Sequence, residues 1–135
     1  MARVALDADV VIAFLDPGDD QHGRAIGELR PRLAAGDELL IGATVYAETI
    51  VRPLQQGTDA KVDAFLDAAG VTVVPVDRAV ARRAARLRAT YSSLRVPDAM
   101  SLATALATNT TFVTLDKKRQ GLAEQARPSG SACDD

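Results

Sequence analysis

Arg3-Val4-Ala5-Leu6-Asp7-Ala8-Asp9-Val10-Val11-Ile12-Ala13-Phe14-Leu15 is the stretch on which the reading of the whole chain turns. Val4, Ala5 and Leu6 are apolar without alternation, which predicts a short strand covered on both faces, as in a parallel sheet. The run reaches Asp7 and passes, with neither Gly nor Pro between, into a second apolar run that predicts a helix over about 9–15. Asp9 is suited to cap that helix. A strand that ends in acid and is followed at once by a helix is where open α/β sheets place their sites.

Moving outward, the turn cluster Asp16-Pro17-Gly18-Asp19-Asp20 lets Asp19 or Asp20 cap a helix to about Ala35, which Pro31 should kink or divide. Leu39-Leu40-Ile41 predicts a second strand, followed by a helix capped by Thr44 that carries Glu48 and is ended or bent by Pro53. A helix over about 59–69 closes at Gly70. Val71 to Val76, almost entirely β-branched, is the clearest strand signal in the chain. Asp77 should cap the next helix, in which Val80, Ala84, Leu87 and Tyr91 form an inner stripe and turn the arginines outward. Pro97 and Asp98 open a largely buried helix to about Asn109, and Thr111 to Leu115 predicts a last strand ending in Asp116. A weak helix over 117–125 follows, and from Pro128 the composition predicts a disordered tail after a single domain of residues 1–127. The alternation predicts a layered α/β domain with a mostly parallel sheet.

Composition narrows the chemistry. The single cysteine, Cys133, excludes an intrachain disulfide and a multi-cysteine zinc site, and the single histidine, His22, removes multi-histidine metal sites. No run approaches the roughly 18 apolar residues of a membrane span, so a cytoplasmic protein is expected. The formal net charge of −2 does not itself point to nucleic acid. Arginines 78–95 and the run Lys117-Lys118-Arg119 nevertheless form two basic clusters, each of which could equally be a solvated helix face.

The carboxylates carry the functional signal. Asp7 and Asp116 each follow a predicted strand, and Glu48 and Asp98 each stand near the start of a predicted helix. In a parallel sheet these ends share one edge, so the acids can meet. Carboxylates gathered in one place repel unless a divalent cation neutralises them, and oxygen-only donors suit Mg²⁺ or Mn²⁺. Such an ion can activate water and neutralise charge on a phosphate ester. Taken singly, each acid also has a plain structural role: helix cap, dipole partner or surface charge. Asp7 is the hardest to read that way, because a charge is seldom buried at the end of an apolar strand without a partner.

Leu6-Asp7-Ala8-Asp9-Val10-Val11-Ile12-Ala13, Thr44-Val45-Tyr46-Ala47-Glu48, Pro97-Asp98-Ala99-Met100-Ser101-Leu102-Ala103-Thr104-Ala105 and Val113-Thr114-Leu115-Asp116 together resemble the PIN-domain family, in particular its VapC-type ribonuclease toxins. The resemblance extends over about residues 3–125. It implies a three-layer α/β domain with a central sheet of four or five strands flanked by helices. It implies a Mg²⁺- or Mn²⁺-dependent endoribonuclease in which Asp7, Glu48, Asp98 and Asp116 are catalytic and hold the metal. It further implies an RNA substrate such as a structured tRNA or ribosomal loop, a cognate antitoxin protein and a homodimer. Asp9, Thr114 and Ser101 are expected to support the metal-holding carboxylates, and Arg82, Arg86, Lys117 and Lys118 to meet the RNA backbone. Tyr46 and Tyr91 are expected to serve the core rather than to stack on bases.

The chain departs from the family pattern in three places, one being that members commonly carry a further strand after the last helix and the tail from Pro128 offers no candidate for it. Asp9 stands where a small hydroxyl or amide residue is common, and Lys117-Lys118-Arg119 stand where an acid and an aromatic often follow Asp116. Asp7-Ala8-Asp9 also resembles the opening motif of haloacid-dehalogenase-type phosphatases, with Asp7 as nucleophile and Asp9 as general acid, although the paired-acid loop of that family is missing. Acids at strand ends would also serve a receiver-like metal switch, or a catalytically silent domain that binds metal or RNA.

Overall fold

The computed structural model describes residues 1–127, so the tail from Pro128 lies outside the described residues. Four strands, β1 (Arg3–Leu6), β2 (Glu38–Gly42), β3 (Thr72–Val74) and β4 (Thr111–Val113), form one sheet in the order β3-β2-β1-β4. All three pairings are parallel, and β1 lies between β2 and β4. The helices are α1 (Ala8–Leu15), α2 (His22–Ala35), α3 (Ala43–Gln56), α4 (Asp59–Ala68), α5 (Arg78–Thr90), α6 (Val96–Thr108) and α7 (Lys117–Ala126).

The unalternated apolar runs have a simple cause. Successive side chains of a strand point to opposite faces, and here each face has its own core. Val4, Leu6, Leu39, Ile41 and Val113 enter one cluster with α1, α2, α3 and α4. Ala5, Leu40 and Phe112 enter the other with α5, α6 and α7. A sheet sandwiched in this way has no polar face, which is the layered α/β arrangement expected from the strand–helix alternation.

Several local expectations are corrected. The strand signal over 71–76 yields only Thr72–Val74, largely exposed at the sheet edge, because its partner β2 ends at Gly42 and turns into α3. Residues beyond Val74 therefore have nothing to pair with, and Pro75 has no N–H to offer. By the same logic β4 stops at Val113 rather than Leu115, since its neighbour β1 ends at Leu6. Pro31 does not divide α2, which runs through it; Pro31 and Gly27, whose carbonyl loses its helical donor, both face solvent. Likewise α3 passes Pro53 and ends at Gly57, where φ of 74° suits a residue without Cβ.

Capping is redistributed as well. Neither Asp19 nor Asp20 caps α2: the Asp19 carboxylate accepts from the Gln21 amide at 2.8 Å, one residue before the helix, and Gln21 holds the cap position. Gly42, not Thr44, precedes α3. A Cβ at Gly42 would stand 2.7 Å from Thr104 Oγ1 on α6, so the β2–α3 junction lies against α6 with no room for a side chain. Asp77 does cap α5, accepting from the Val80 amide at 2.9 Å. His22 ties α2 to α1 through Nδ1 and the Ala13 carbonyl, 2.7 Å apart.

Candidate active site

Sheet order and register bring the acids together. Leu6 pairs with Val113, so the next residues on the two strands, Asp7 and Thr114, face each other as both chains leave the sheet. The Asp7 amide still donates to the Val113 carbonyl at 2.9 Å, and its side chain caps α1 by accepting from the Ala8 amide at 2.9 Å. Asp7, rather than Asp9, therefore occupies the cap of α1, and Asp9 falls in the first turn and reaches across to the β4 exit. There its Oδ2 accepts from Thr114 Oγ1 at 3.0 Å and from the Leu115 amide at 3.1 Å. Asp7 is 2 % exposed, which makes its partners decisive.

Thr114 stands between the two acids. Its Oγ1 lies 2.9 Å from Asp7 Oδ2 and 3.0 Å from Asp9 Oδ2, while it accepts from the Asp116 amide at 3.2 Å. One hydroxyl proton thus serves two carboxylate oxygens, and neither acid is fully satisfied by it. Asp9 Oδ1 is buried with no hydrogen-bond partner among the described residues. Desolvation, followed by the charge of Asp7, raises the Asp9 pKa above the ordinary range against the opposing pull of Thr114, Arg119 and Leu115.

Asp98 and Asp116 complete one ring of contacts, and its centre is a guanidinium. Arg119, in the first turn of α7, donates from Nε to Asp7 Oδ2 at 2.8 Å and from Nη2 to Asp9 Oδ2 at 3.3 Å. Its Nη1 forms ion pairs with Asp98 Oδ2 at 3.3 Å and Asp116 Oδ2 at 3.5 Å. Desolvation works against the charge on Arg119, but the fields of Asp7 and Asp98 and the bond to Asp7 hold its pKa above the usual value. Asp116 also caps α7, accepting from the Lys118 and Arg119 amides at 2.9 and 3.1 Å. The Arg119 amide, ahead of the charges of Arg119 and Lys118, lowers its pKa despite a desolvation cost.

Glu48, in the second turn of α3, approaches from the other side. Desolvation first, then the negative charges of Asp7 and Asp98, push its pKa up, and Arg95 and Arg119 oppose this. Glu48 is on the rim, and it also lines a largely apolar groove of about 590 Å³ between α1, α3 and α4 that includes Ile12, Leu15, Val51 and Val62.

The remaining sequence candidates are distributed less favourably. Ser101 is buried with its Oγ unpartnered among the described residues, so it does not bond the Asp98 carboxylate from which it is one turn away. Lys117 and Lys118 are exposed beside Asp116. Arg82 and Arg86 are exposed on α5 and make no ion pair with the acid cluster among the described residues. The nearer cation on that side is Arg95, 3.6 Å from Asp98 Oδ2. Tyr46 and Tyr91 do serve the core, each half-buried against one of the two apolar clusters, and Tyr46 also donates its hydroxyl to Asp63 at 2.8 Å.

Two residues were missed by sequence reasoning: Arg95 as a neighbour of Asp98, and Arg119 as the centre of the cluster. A usable signal existed for both. Each stands three residues from an acid in a helix or at its cap, a spacing that puts the two side chains on one face.

Four carboxylates contact the one central guanidinium, with Glu48 at the rim and Arg95 beside Asp98, so acids outnumber the cations at the site. The donor set is all oxygen and suits a hard divalent cation. As the side chains stand, no three acids among the described residues surround a common point closely enough to hold an ion, because Arg119 lies between them.

Acids collected past the strand ends, on both sides of the central strand of a sandwiched parallel sheet, define an α/β domain with a carboxylate-centred site. The family model for the PIN domain matches residues 4–125, and the chain belongs to that family. Solved structures of similar fold include a toxin–antitoxin complex from Klebsiella pneumoniae, with a TM-score of 0.68 and 22% identity, covering 86% of this chain and 88% of that one. They also include VapC20 of Mycobacterium tuberculosis, described as a sarcin-ricin loop cleaving toxin, with a TM-score of 0.69, 18% identity and coverage of 87% and 93%. A third is FitAcB from Neisseria gonorrhoeae, with a TM-score of 0.67, 21% identity and coverage of 90% and 93%. No curated protein sequence matches this chain. Among the described residues, no helix is long and apolar enough to cross a membrane.

Proposed function

We propose that this chain is a divalent-metal-dependent endoribonuclease and the toxin component of a toxin–antitoxin pair. The observation that carries this reading is the gathering of Asp7, Asp98 and Asp116 around the single guanidinium of Arg119, with Glu48 at the rim of the cluster. Asp7, Glu48, Asp98 and Asp116 would hold Mg²⁺ or Mn²⁺, which when bound supplies an activated water and neutralises charge on a phosphodiester. Thr114 fixes Asp7 and Asp9, and the Leu115 amide helps to hold Asp9, so these carboxylates are oriented before any ligand arrives. Glu48, exposed at the rim of the acid cluster, is the acid placed to accept a proton from the attacking water. The water oxygen then bonds to phosphorus as the bond to the leaving ester oxygen breaks, and that oxygen takes up a proton from solvent to leave as the ribose hydroxyl.

RNA would lie over the solvent-facing side of the site, where Arg95, Lys117 and Lys118 offer positive charge to the backbone, with Arg82 and Arg86 farther along α5. The antitoxin would occupy the same site, presenting an arginine to the acids. A structure of similar fold that is described as a toxin–antitoxin complex supports a protein partner, and we extend the same reading to a homodimer. A phosphatase using Asp7 as nucleophile is less well served, because the cation on Asp7 is Arg119 and no lysine pairs with it among the described residues.

The test compares the wild-type chain with Asp7→Ala on total cellular RNA, with and without EDTA. Cleavage by the wild type that is lost both in the variant and on chelation is the expected result. Cleavage that survives either treatment would overturn the metal-nuclease mechanism.

A further inference from the structure

We propose that Arg119 is a tethered occupant of the acid cluster: it holds the carboxylates together in the metal-free protein and must withdraw before a divalent ion can be held there. The inference rests on the metal-nuclease reading above and adds to it a competitor built into the chain.

The contacts are those of an occupant. All three guanidinium nitrogens are used, Nε on Asp7, Nη2 on Asp9 and Nη1 between Asp98 and Asp116, at 2.8 to 3.5 Å. The acids so joined come from the β1–α1 junction, from α6 and from the cap of α7, elements that share no other ion pair at this point among the described residues. A guanidinium and a divalent ion in the same space would repel each other.

The local structure allows the side chain to leave. Arg119 is anchored through its own amide to the Asp116 carboxylate, so the helix start is fixed while the long side chain is free to rotate. The side chain is 19% exposed, which gives it a path to solvent. Asp7 and Asp9 keep their Thr114 bonds, and Asp9 its Leu115 bond, when the guanidinium goes. The position of Arg119 also supplies a bias toward leaving. A cation in the first turn of a helix is opposed by the helix dipole, and only the acids offset this. Once those acids are neutralised by another cation, the dipole favours departure.

The test is calorimetric titration of the full chain with Mn²⁺, comparing wild type, Arg119→Gln, Arg119→Lys and Arg83→Gln. Arg83 is exposed on α5, and its variant carries the same change in net charge as Arg119→Gln. Arg119→Gln should bind Mn²⁺ about tenfold or more tightly than wild type, a difference of about 1.4 kcal/mol. It should also melt lower than wild type in EDTA and gain more in melting temperature from Mn²⁺. Arg83→Gln should match wild type. Equal Mn²⁺ affinity for wild type and Arg119→Gln would overturn the role of Arg119 while leaving a metal site in place. Absence of Mn²⁺ uptake by both would overturn this inference together with the metal-nuclease reading. If Arg119→Gln fails to fold by circular dichroism, Arg119→Lys carries the test, since a single ammonium cannot bridge four carboxylates. It should bind Mn²⁺ more tightly than wild type, and equality would count against the proposal.

Discussion

Substituting Gly42 by alanine tests the packing that sets the two sides of the site against each other. The added Cβ would stand 2.7 Å from Thr104 Oγ1 and 3.5 Å from both Thr104 Cβ and Cγ2, so only the hydroxyl is overlapped. Relief to an ordinary contact of roughly 3.4 Å needs a shift of about 0.7 Å. Thr104 cannot easily turn away, because it is 2% exposed and its hydroxyl donates to the Met100 carbonyl at 2.9 Å. The backbone raises no objection, since φ of −71° and ψ of 157° are open to alanine. That substitution alone would stabilise by about 0.4–1 kcal/mol through the unfolded chain. Overpacking costs about 1–3 kcal/mol, and the buried, hydrogen-bonded Thr104 places this site in the upper half at about 2–3, so a net loss of about 1–2.5 kcal/mol remains. At this chain length that corresponds to a fall in melting temperature of about 4–8 °C by differential scanning calorimetry. Adding Thr104→Ala removes the overlapped hydroxyl, so Gly42→Ala should then be neutral or stabilising, with a coupling of about 1–3 kcal/mol between the two positions. If Gly42→Ala melts at or above wild type with Thr104 intact, the close approach of the β2–α3 junction to α6 is wrong.

Thr114→Val keeps the shape of the side chain but leaves Asp7, Asp9 and the Asp116 amide without the shared hydroxyl, and should cost about 1–3 kcal/mol in urea unfolding, recovered by Thr114→Ser. A loss within experimental error would show that the hydroxyl is not what holds the two acids. In the presence of EDTA, Asp9 and Glu48, whose pKa values are raised by folding, contribute stability that is complete below about pH 4 and lost as the pH rises through their folded values. Asp116, lowered by folding, acts in the opposite sense and withdraws its contribution as the pH falls through its folded value. Asp9→Asn should therefore flatten the decline in melting temperature as the pH rises from about 4, and a steeper decline in the variant would refute this assignment.

Much of the scaffold was legible because it depends on local pattern. Val4-Ala5-Leu6 and Leu39-Leu40-Ile41 announced strands with two buried faces, and the spacing of Val80, Ala84 and Leu87 identified the inner side of α5. What sequence could not supply was where pairing partners end. Val71 to Val76 is rich in β-branched residues, yet it pairs for three residues because β2 stops at Gly42. The separate positions of Asp7 and Asp9 turn on the same kind of detail, since the last paired residue of β1 decides which of them caps α1 and which crosses to Thr114. Arg119 was obscured for another reason. In the run Lys117-Lys118-Arg119 all three residues look like solvated charges, and only the start of α7 at Lys117 turns the third inward while the first two stay exposed.

The placement of β1 in the sheet has a consequence for the order of synthesis. Residues 3–6 emerge from the ribosome before the other three strands, yet one side of β1 must wait for residues 111–113, and the Asp7 amide for the Val113 carbonyl. Until then the chain can build β1 with β2 and β3 and lay down helices, but Asp7 and Asp9 have neither the Thr114 hydroxyl nor the Leu115 amide. Each of the four carboxylates that meet Arg119 is translated before the residue that joins them. The site is thus completed only once β4 and the start of α7 have been made, and an interrupted chain that stops short of α7 carries the acids without the arrangement.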